Sequence, residues 1–226
     1  MEILTFDQLP QGGFAGLIER QFVKDDKIFS PSRKGKALNG IGNFVYLADA
    51  NFLPHGETGM HPHKELDVIS IMVEGNIDHA GSLEHGKSLE VGQAQAQRAG
   101  SEGFSHNEIN PDNKKNQLIQ LWVLPESSGE SARYKIYSPK KNQITTIYGG
   151  SKEQDKTLDS HTHIQMVNAQ PSYELTIKGE MLAYISKGNT EVNGKKIQPR
   201  TLIRVDKELT FKANSKAQLI VISHNK

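Results

Sequence analysis

Ile69-Ser70-Ile71-Met72-Val73-Glu74-Gly75-Asn76 returns in loose form as Leu182-Ala183-Tyr184-Ile185-Ser186-Lys187-Gly188-Asn189, an offset of 113 residues between Gly75 and Gly188. Each copy is a short apolar run closed by a Gly-Asn turn, the pattern of a well-buried strand. A repeat at this spacing implies two copies of one β-domain. Outward from these copies, Phe44-Val45-Tyr46-Leu47, Leu118 to Leu124, and Leu219 to Ile222 read the same way, bounded by glycine, asparagine or proline. Asn193-Gly194 between Thr190-Glu191-Val192 and Lys195-Lys196-Ile197 signals a two-residue hairpin, because a type I′ turn needs positive φ at both central residues. No helical period is sustained. The sequence therefore predicts an all-β sandwich or barrel fold. The expected division is 1–135 and 136–226, with Gly149 to Lys156, polar and glycine-led, as the strongest linker signal.

Composition excludes several functions. With 27 basic and 26 acidic residues among 226, the formal charge of +1 leaves no electrostatic footprint for nucleic acid or an anionic membrane. Cysteine is absent, so disulfides, thiolate metal sites and cysteine nucleophiles are excluded. The N-terminus lacks a basic segment followed by an apolar core, and no run of about 18 apolar residues occurs. A soluble, cytoplasmic protein is expected.

Of nine histidines, three fall into a pattern that carries chemistry. His61-Pro62-His63 is followed well downstream by His106-Asn107-Glu108. Residues i and i+2 of a strand share a face, so each pair aims both side chains one way. The interval is too long for a finger-type zinc loop, but it suits two strands joined through an intervening hairpin. Three imidazoles and a carboxylate suit a divalent transition metal rather than a soft-ligand site. His161-Thr162-His163 has the same spacing but nothing comparable follows it except His224, so a polar edge-strand pair is expected there. Carrying the repeat offset from His61 and His63 lands on Glu174 and Thr176. From His106 and Glu108 it lands on Leu219 and Val221, and a shorter offset lands near Ala213 and Ser215. No registration restores a donor set, and the second copy is expected to be metal-free.

The first half of the chain resembles the pirin-like bicupins, a family of two stacked antiparallel cupin β-barrels. The likeness runs from His61-Pro62-His63-Lys64-Glu65 through Val73-Glu74-Gly75, His79 and Ser82. It continues in Ala99-Gly100-Ser101-Glu102-Gly103-Phe104-Ser105-His106-Asn107-Glu108 and Leu121-Trp122-Val123-Leu124-Pro125. The resemblance implies one metal, iron(II) first, with Mn, Ni, Cu, Co or Zn as alternatives, held by His61, His63, His106 and Glu108. It implies a metal-binding N-terminal cupin over 1–135 and a metal-free cupin over 136–226. It further implies a quercetin 2,3-dioxygenase activity on a small aromatic substrate and O2, with Glu108 as the catalytic proton acceptor. The alternative is an iron-binding, redox-responsive module that contacts a transcription-related protein partner. Two positions depart from the family pattern, Gly81 where aspartate is usual and Asn107 where serine is usual.

Neighbouring residues carry weaker expectations. His55 reads as a solvated turn residue rather than the lining of an entrance, and His79 and His85 read as exposed. Lys64 is balanced between a charge near the site and an ordinary surface lysine. Trp122, the single tryptophan, alternates with Gln120 and Leu118, so core packing is its default and substrate stacking the minority reading.

Overall fold

Short runs of β-branched and aromatic residues, each closed by glycine or asparagine, set strand as the dominant state. The computed structural model describes residues 1–83 and 85–225, apart from the Arg33 side chain. Four strands come first: β1 (Glu2–Thr5), β2 (Gly12–Phe14), β3 (Leu17–Lys24) and β4 (Phe44–Phe52). Next come β5 (His61–His63), β6 (Asp67–Glu74), β7 (Asn76–Gly81) and β8 (Lys87–Glu90). Then follow β9 (Ala94–Arg98), β10 (Phe104–Ile109), β11 (Gln117–Val123) and β12 (Arg133–Tyr137). The remainder holds β13 (Thr145–Gly150), β14 (Ser160–Ala169), β15 (Glu174–Lys178), β16 (Met181–Lys187) and β17 (Thr190–Val192). The last four are β18 (Lys195–Ile197), β19 (Thr201–Val205), β20 (Glu208–Ala213) and β21 (Ala217–His224). Helix among the described residues is confined to single turns at Phe6–Gln8 and Pro31–Lys34. No helix among them is long and apolar enough to cross a membrane.

The chain divides into two compact units. The N-terminal unit comprises Leu9–Asn39 and Asn43–Ser138; the C-terminal unit takes Met1–Gln8, Gly40–Gly42 and the chain from Pro139 on. β1 pairs with β19 from Glu2 opposite Arg204 to Thr5 opposite Thr201, so a cut at 135/136 would part β1 from its hydrogen-bonded partner. The Gly149–Lys156 stretch is not an interdomain linker. Its glycines end β13, and the rest is the loop to β14 inside the C-terminal unit.

The repeat read from the sequence is carried through the topology. The N-terminal unit has a seven-stranded sheet ordered β12-β9-β6-β11-β4-β3-β2 and a four-stranded sheet ordered β5-β10-β7-β8. The C-terminal unit has β1-β19-β16-β21-β14-β13 and β15-β20-β17-β18. The two sets correspond strand for strand except for β2, which has no counterpart: β6 matches β16 and β10 matches β20, with β1 in the place of β12. The Gly-Asn turns bend alike, at φ 71° for Gly75 and 84° for Gly188. Asn193 and Gly194 have φ of 48° and 75°, the positive pair that the β17–β18 hairpin requires.

Register corrects the mapping of the site onto the second copy. Ile109 lies opposite Asp78, and its counterpart Lys212 lies opposite Glu191. Glu108 therefore corresponds to Phe211 and His106 to Leu209. Leu209 lies opposite Ile177 as His106 lies opposite His61. The offset shrinks because the second copy has shorter connections between its strands, so neither Leu219 and Val221 nor Ala213 and Ser215 is the match. Leu209, Phe211 and Ile177 pack in the apolar core of the C-terminal unit. β14 also departs from expectation: it is paired on both sides, by β13 and β21, so His161 and His163 do not lie on an edge strand.

In the N-terminal unit the inward faces of the seven-stranded sheet are unusually polar. Cα partners run in one row from Gln21 through Ala48, Gln120 and Ser70 to Gln95. The other face of β6, Ile69 and Ile71, is wholly buried and apolar. Asp67 and Arg98, opposite each other on β6 and β9, form a buried ion pair with Nε to Oδ2 at 3.0 Å. Arg98 also bonds Glu130, so both of its flanks are held.

Candidate metal centre

Antiparallel pairing of β5 with β10 assembles the three histidines. His61 lies opposite His106, and His63 opposite Phe104. The i, i+2 spacing then turns His61 and His63 toward the face of His106. His106 Nε2 lies 3.1 Å from His61 Nε2 and 3.1 Å from His63 Nε2. One donor nitrogen from each ring falls in a group whose members all lie within 4.8 Å of one another. Glu108 stands outside that group, one alternate position further along β10.

The surroundings keep the His63 and His106 rings neutral. Burial, followed by the neighbouring His61 charge, pushes the His63 pKa down to about 4. Burial and the charges of His63, His61 and His79 push His106 down to about 2. His61 Nδ1 is 2.9 Å from the Gly59 carbonyl. An N–H donated there leaves the Nε2 lone pair facing the other two rings. The donor set fits a borderline divalent metal: three imidazoles converge, and burial holds protons off two of them, His63 and His106.

Glu108 is 3% exposed, and desolvation raises its pKa to about 7 despite an opposing hydrogen bond from Ser70. Ser70 Oγ donates to Glu108 Oε1 at 2.8 Å, and Gln95 Nε2 stands 3.5 Å from the same oxygen. Its backbone is clamped by Thr58, whose Oγ1 accepts from Glu108 N at 3.1 Å while Thr58 N donates to Glu108 O at 3.1 Å. Asn107, on the opposite face, donates to Glu57 Oε2 at 2.6 Å and accepts from Thr58 Oγ1 at 3.1 Å. The asparagine thus ties the Glu57-Thr58 loop to β10. Gly81 lies opposite His106, and a Cβ there would run into the Ser105 carbonyl and crowd His106. Glycine at 81 permits the close strand approach.

Sequence reasoning missed His79, which is buried at 2% exposure rather than exposed. Its Nε2 meets Gln97 Nε2 at 3.0 Å, and its ring lies 5.4 Å from His106. The alternation Ile77-x-His79 on β7 was the available signal. His55, Lys64 and His85 are exposed.

A cavity of about 570 Å³ opens beside the histidines, within the range of small-molecule sites. His61, His63 and Glu108 line one part of it. Phe29, Tyr46 and Trp122 form an aromatic wall: Tyr46 stacks on Trp122 with centroids 4.1 Å apart, and Phe29 lies 5.8 Å from Tyr46. Trp122 packs beside Val68 and Phe104 and also faces the cavity, so it serves both packing and lining. Leu17, Glu19 and Gln21, alternate residues of β3, line the cavity too. They went unread because a polar residue at an inward strand position looks like a solvated one.

The Pirin family model matches residues 31–123, the segment that carries all three histidines and Glu108. Over this segment the chain is similar to the pirins. A pirin-like protein of Caulobacter vibrioides is 24% identical over 192 residues, covering 77% of this chain and 80% of that protein. The quercetin 2,3-dioxygenase of Escherichia coli K12 is 26% identical over 176 residues, covering 74% of this chain and 73% of that protein. The crystal structure of the bacterial pirin YhhW from Escherichia coli in complex with nickel(II) superposes with a TM-score of 0.80 at 18% identity. It covers 100% of this chain and 99% of that one. The pirin-like cupin fold therefore spans both units, and the histidine group points to a divalent metal.

Proposed function

We propose that the protein is a metal-dependent dioxygenase of the quercetinase type, with one divalent metal held by His61, His63, His106 and Glu108. The carrying observation is the convergence of three imidazoles at the wall of an aromatic-lined cavity that also contains a buried carboxylate. Names of relatives as quercetin 2,3-dioxygenases support the reaction class. Iron(II) is the first candidate, and the nickel(II) bound by the similar pirin makes nickel the second. When bound, the metal supplies a Lewis-acidic point at which a substrate oxygen and O2 are brought together.

The chain's own residues do the rest. Phe29, Tyr46 and Trp122 offer a flat apolar wall for a planar aromatic substrate. His61, oriented through Gly59, holds its Nε2 lone pair toward the centre. Glu108 lines the same cavity and would take the proton of the substrate hydroxyl as general base. Ser70 and Gln95 keep its carboxylate aimed. We assign the metal to the N-terminal cupin, Leu9–Asn39 with Asn43–Ser138. The cupin over 136–226 is proposed to be metal-free, as Leu209, Phe211 and Ile177 supply no donor atom there.

Anaerobic purification, reconstitution with Fe(II) or Ni(II), elemental analysis, and oxygen uptake with carbon monoxide release from quercetin test the proposal. One metal per chain with coupled oxygen consumption is expected. A loaded protein that consumes no oxygen with any flavonol would remove the enzymatic reading.

A further inference from the structure

The cavity has a second polar pole, remote from the histidines and unused by the mechanism above. Glu19 on β3 is 8% exposed and lines the cavity. Gln21 Nε2 donates to its Oε1 at 2.6 Å and the Tyr46 hydroxyl to its Oε2 at 3.0 Å. Gln21 Nε2 also reaches Tyr46 Oη at 3.3 Å, closing a triangle. No ammonium, guanidinium or imidazole pairs with Glu19 among the described residues. An ionised carboxylate has about four lone-pair sites, and each oxygen here receives one donor. A buried carboxylate without a cation is costly, so a protein that keeps one inside a ligand cavity has acceptor capacity reserved for a ligand donor.

The row of Cα partners gives the distance scale. From Gln21, which holds Glu19, to Ser70, which holds Glu108, the sheet crosses Ala48 and Gln120. Three strand spacings make about 14 Å. Between the poles β4 offers only the small side chains of Ala48 and Ala50, both buried, while Leu118 and Gln120 of β11 line the cavity beside them. Next to these alanines, on the same face of β4 and β11, stands the Tyr46–Trp122 stack. Tyr46 belongs to both features: its ring stacks and its hydroxyl holds Glu19.

We infer that Glu19, held by Gln21 and Tyr46, is a specificity determinant that accepts a hydrogen bond from a donor group at the distal end of a planar aromatic ligand whose other end lies at the histidines. The ligand class is then narrower than aromatic. It is a multi-ring planar compound with a hydroxyl or amine N–H at the end remote from its metal-directed oxygen. The inference deepens the substrate reading above and rests on the same cavity, but not on turnover.

The test uses the full-length, metal-loaded protein under anaerobic conditions. Quenching of the single tryptophan, Trp122, reports binding of 3-hydroxyflavone and of 3,4′-dihydroxyflavone, which differ by one distal hydroxyl. The wild type should prefer the dihydroxy compound by at least about tenfold, the scale of a hydrogen bond to a charged acceptor. Glu19→Gln should cut that ratio to about threefold or less, while leaving 3-hydroxyflavone affinity and metal content unchanged. If the ratio is the same in both proteins, or if the wild type shows no preference, the inference is overturned. Should Glu19→Gln lose its native circular dichroism, Glu19→Asp, which withdraws the charge by one methylene, carries the same ratio measurement. A Glu19-dependent preference in a protein that consumes no oxygen would uphold this inference and remove the dioxygenase reading; turnover without the preference would do the reverse.

Discussion

Ser70 Oγ donates to Glu108 Oε1 at 2.8 Å, reaching from the large sheet of the N-terminal unit to its small one. This bond opposes the rise that burial imposes on the carboxylate pKa, and the balance lies at about 7. Ser70 also stands 3.3 Å from Gln120 Oε1, so the polar row of the sheet ends on the proposed base.

Ser70→Ala is therefore expected to shift Glu108 further upward, because desolvation persists and the opposing hydrogen bond is lost. If Glu108 accepts the substrate proton, the acidic limb of the kcat/KM profile moves to higher pH. Activity at pH 7 should fall by roughly severalfold and recover toward pH 9. An unmoved limb would place the proton elsewhere.

Glu108→Gln separates the carboxylate's cost from its use. Its folded pKa is above the unfolded value of 4.5, so the folded state binds the extra proton between these values. Stability that is present below pH 4.5 is then lost as pH rises through about 7. Without metal, the glutamine variant should melt higher than wild type at pH 8 and equally at pH 4. A chain of this size moves about 2–4 °C per kcal/mol. With metal, the order should reverse, and turnover should fall by about 10²–10⁴-fold. Paired calorimetric scans with and without chelator, alongside oxygen uptake, check both halves.

Alanine at His61, His63 or His106 should each reduce bound metal below about a tenth of an equivalent, whereas His161→Ala with His163→Ala should leave it intact. Low pKa values for His63 and His106 mean that protons compete poorly for those nitrogens. Protonation of these two nitrogens should consequently not displace the metal until pH approaches about 4, so any loss at higher pH is assigned to the other donors. Elemental analysis across a pH series after desalting measures this.

Much of this was legible in the sequence because strand parity is a rigid rule. His61-x-His63 and His106-x-Glu108 had to share faces once they lay on strands, and the Gly75-Asn76 and Gly188-Asn189 turns marked the repeat. What stayed hidden depends on pairing between distant strands. Glu19, Ser70 and Gln95 look like solvent-facing alternations until β3, β6 and β9 are placed in one sheet. His79 shows the same effect: its burial follows from β7 lying between β8 and β10. The second-copy register failed for a related reason, since a fixed offset cannot absorb shorter connections.

Leu209, in the second copy, shows what the position of His106 becomes when only packing is required. His106 is wholly buried, and its Nδ1 has no partner among the described residues. Without metal, His106→Leu should thus stabilise the protein. The gain should also depend on pH. The folded pKa of His106 is depressed to about 2 from an ordinary 6.5, so below 6.5 the unfolded chain binds a proton that the folded chain refuses. Wild-type stability from this group is lost as pH falls from 6.5 toward 2, and leucine, which does not titrate, escapes the loss. The melting temperature of the leucine variant, measured with chelator, should exceed wild type by a larger margin at pH 5 than at pH 7.5. Equal margins at the two pH values would show that His106 is not held neutral by burial, and the account of a preformed, proton-excluding nitrogen site would fail with it.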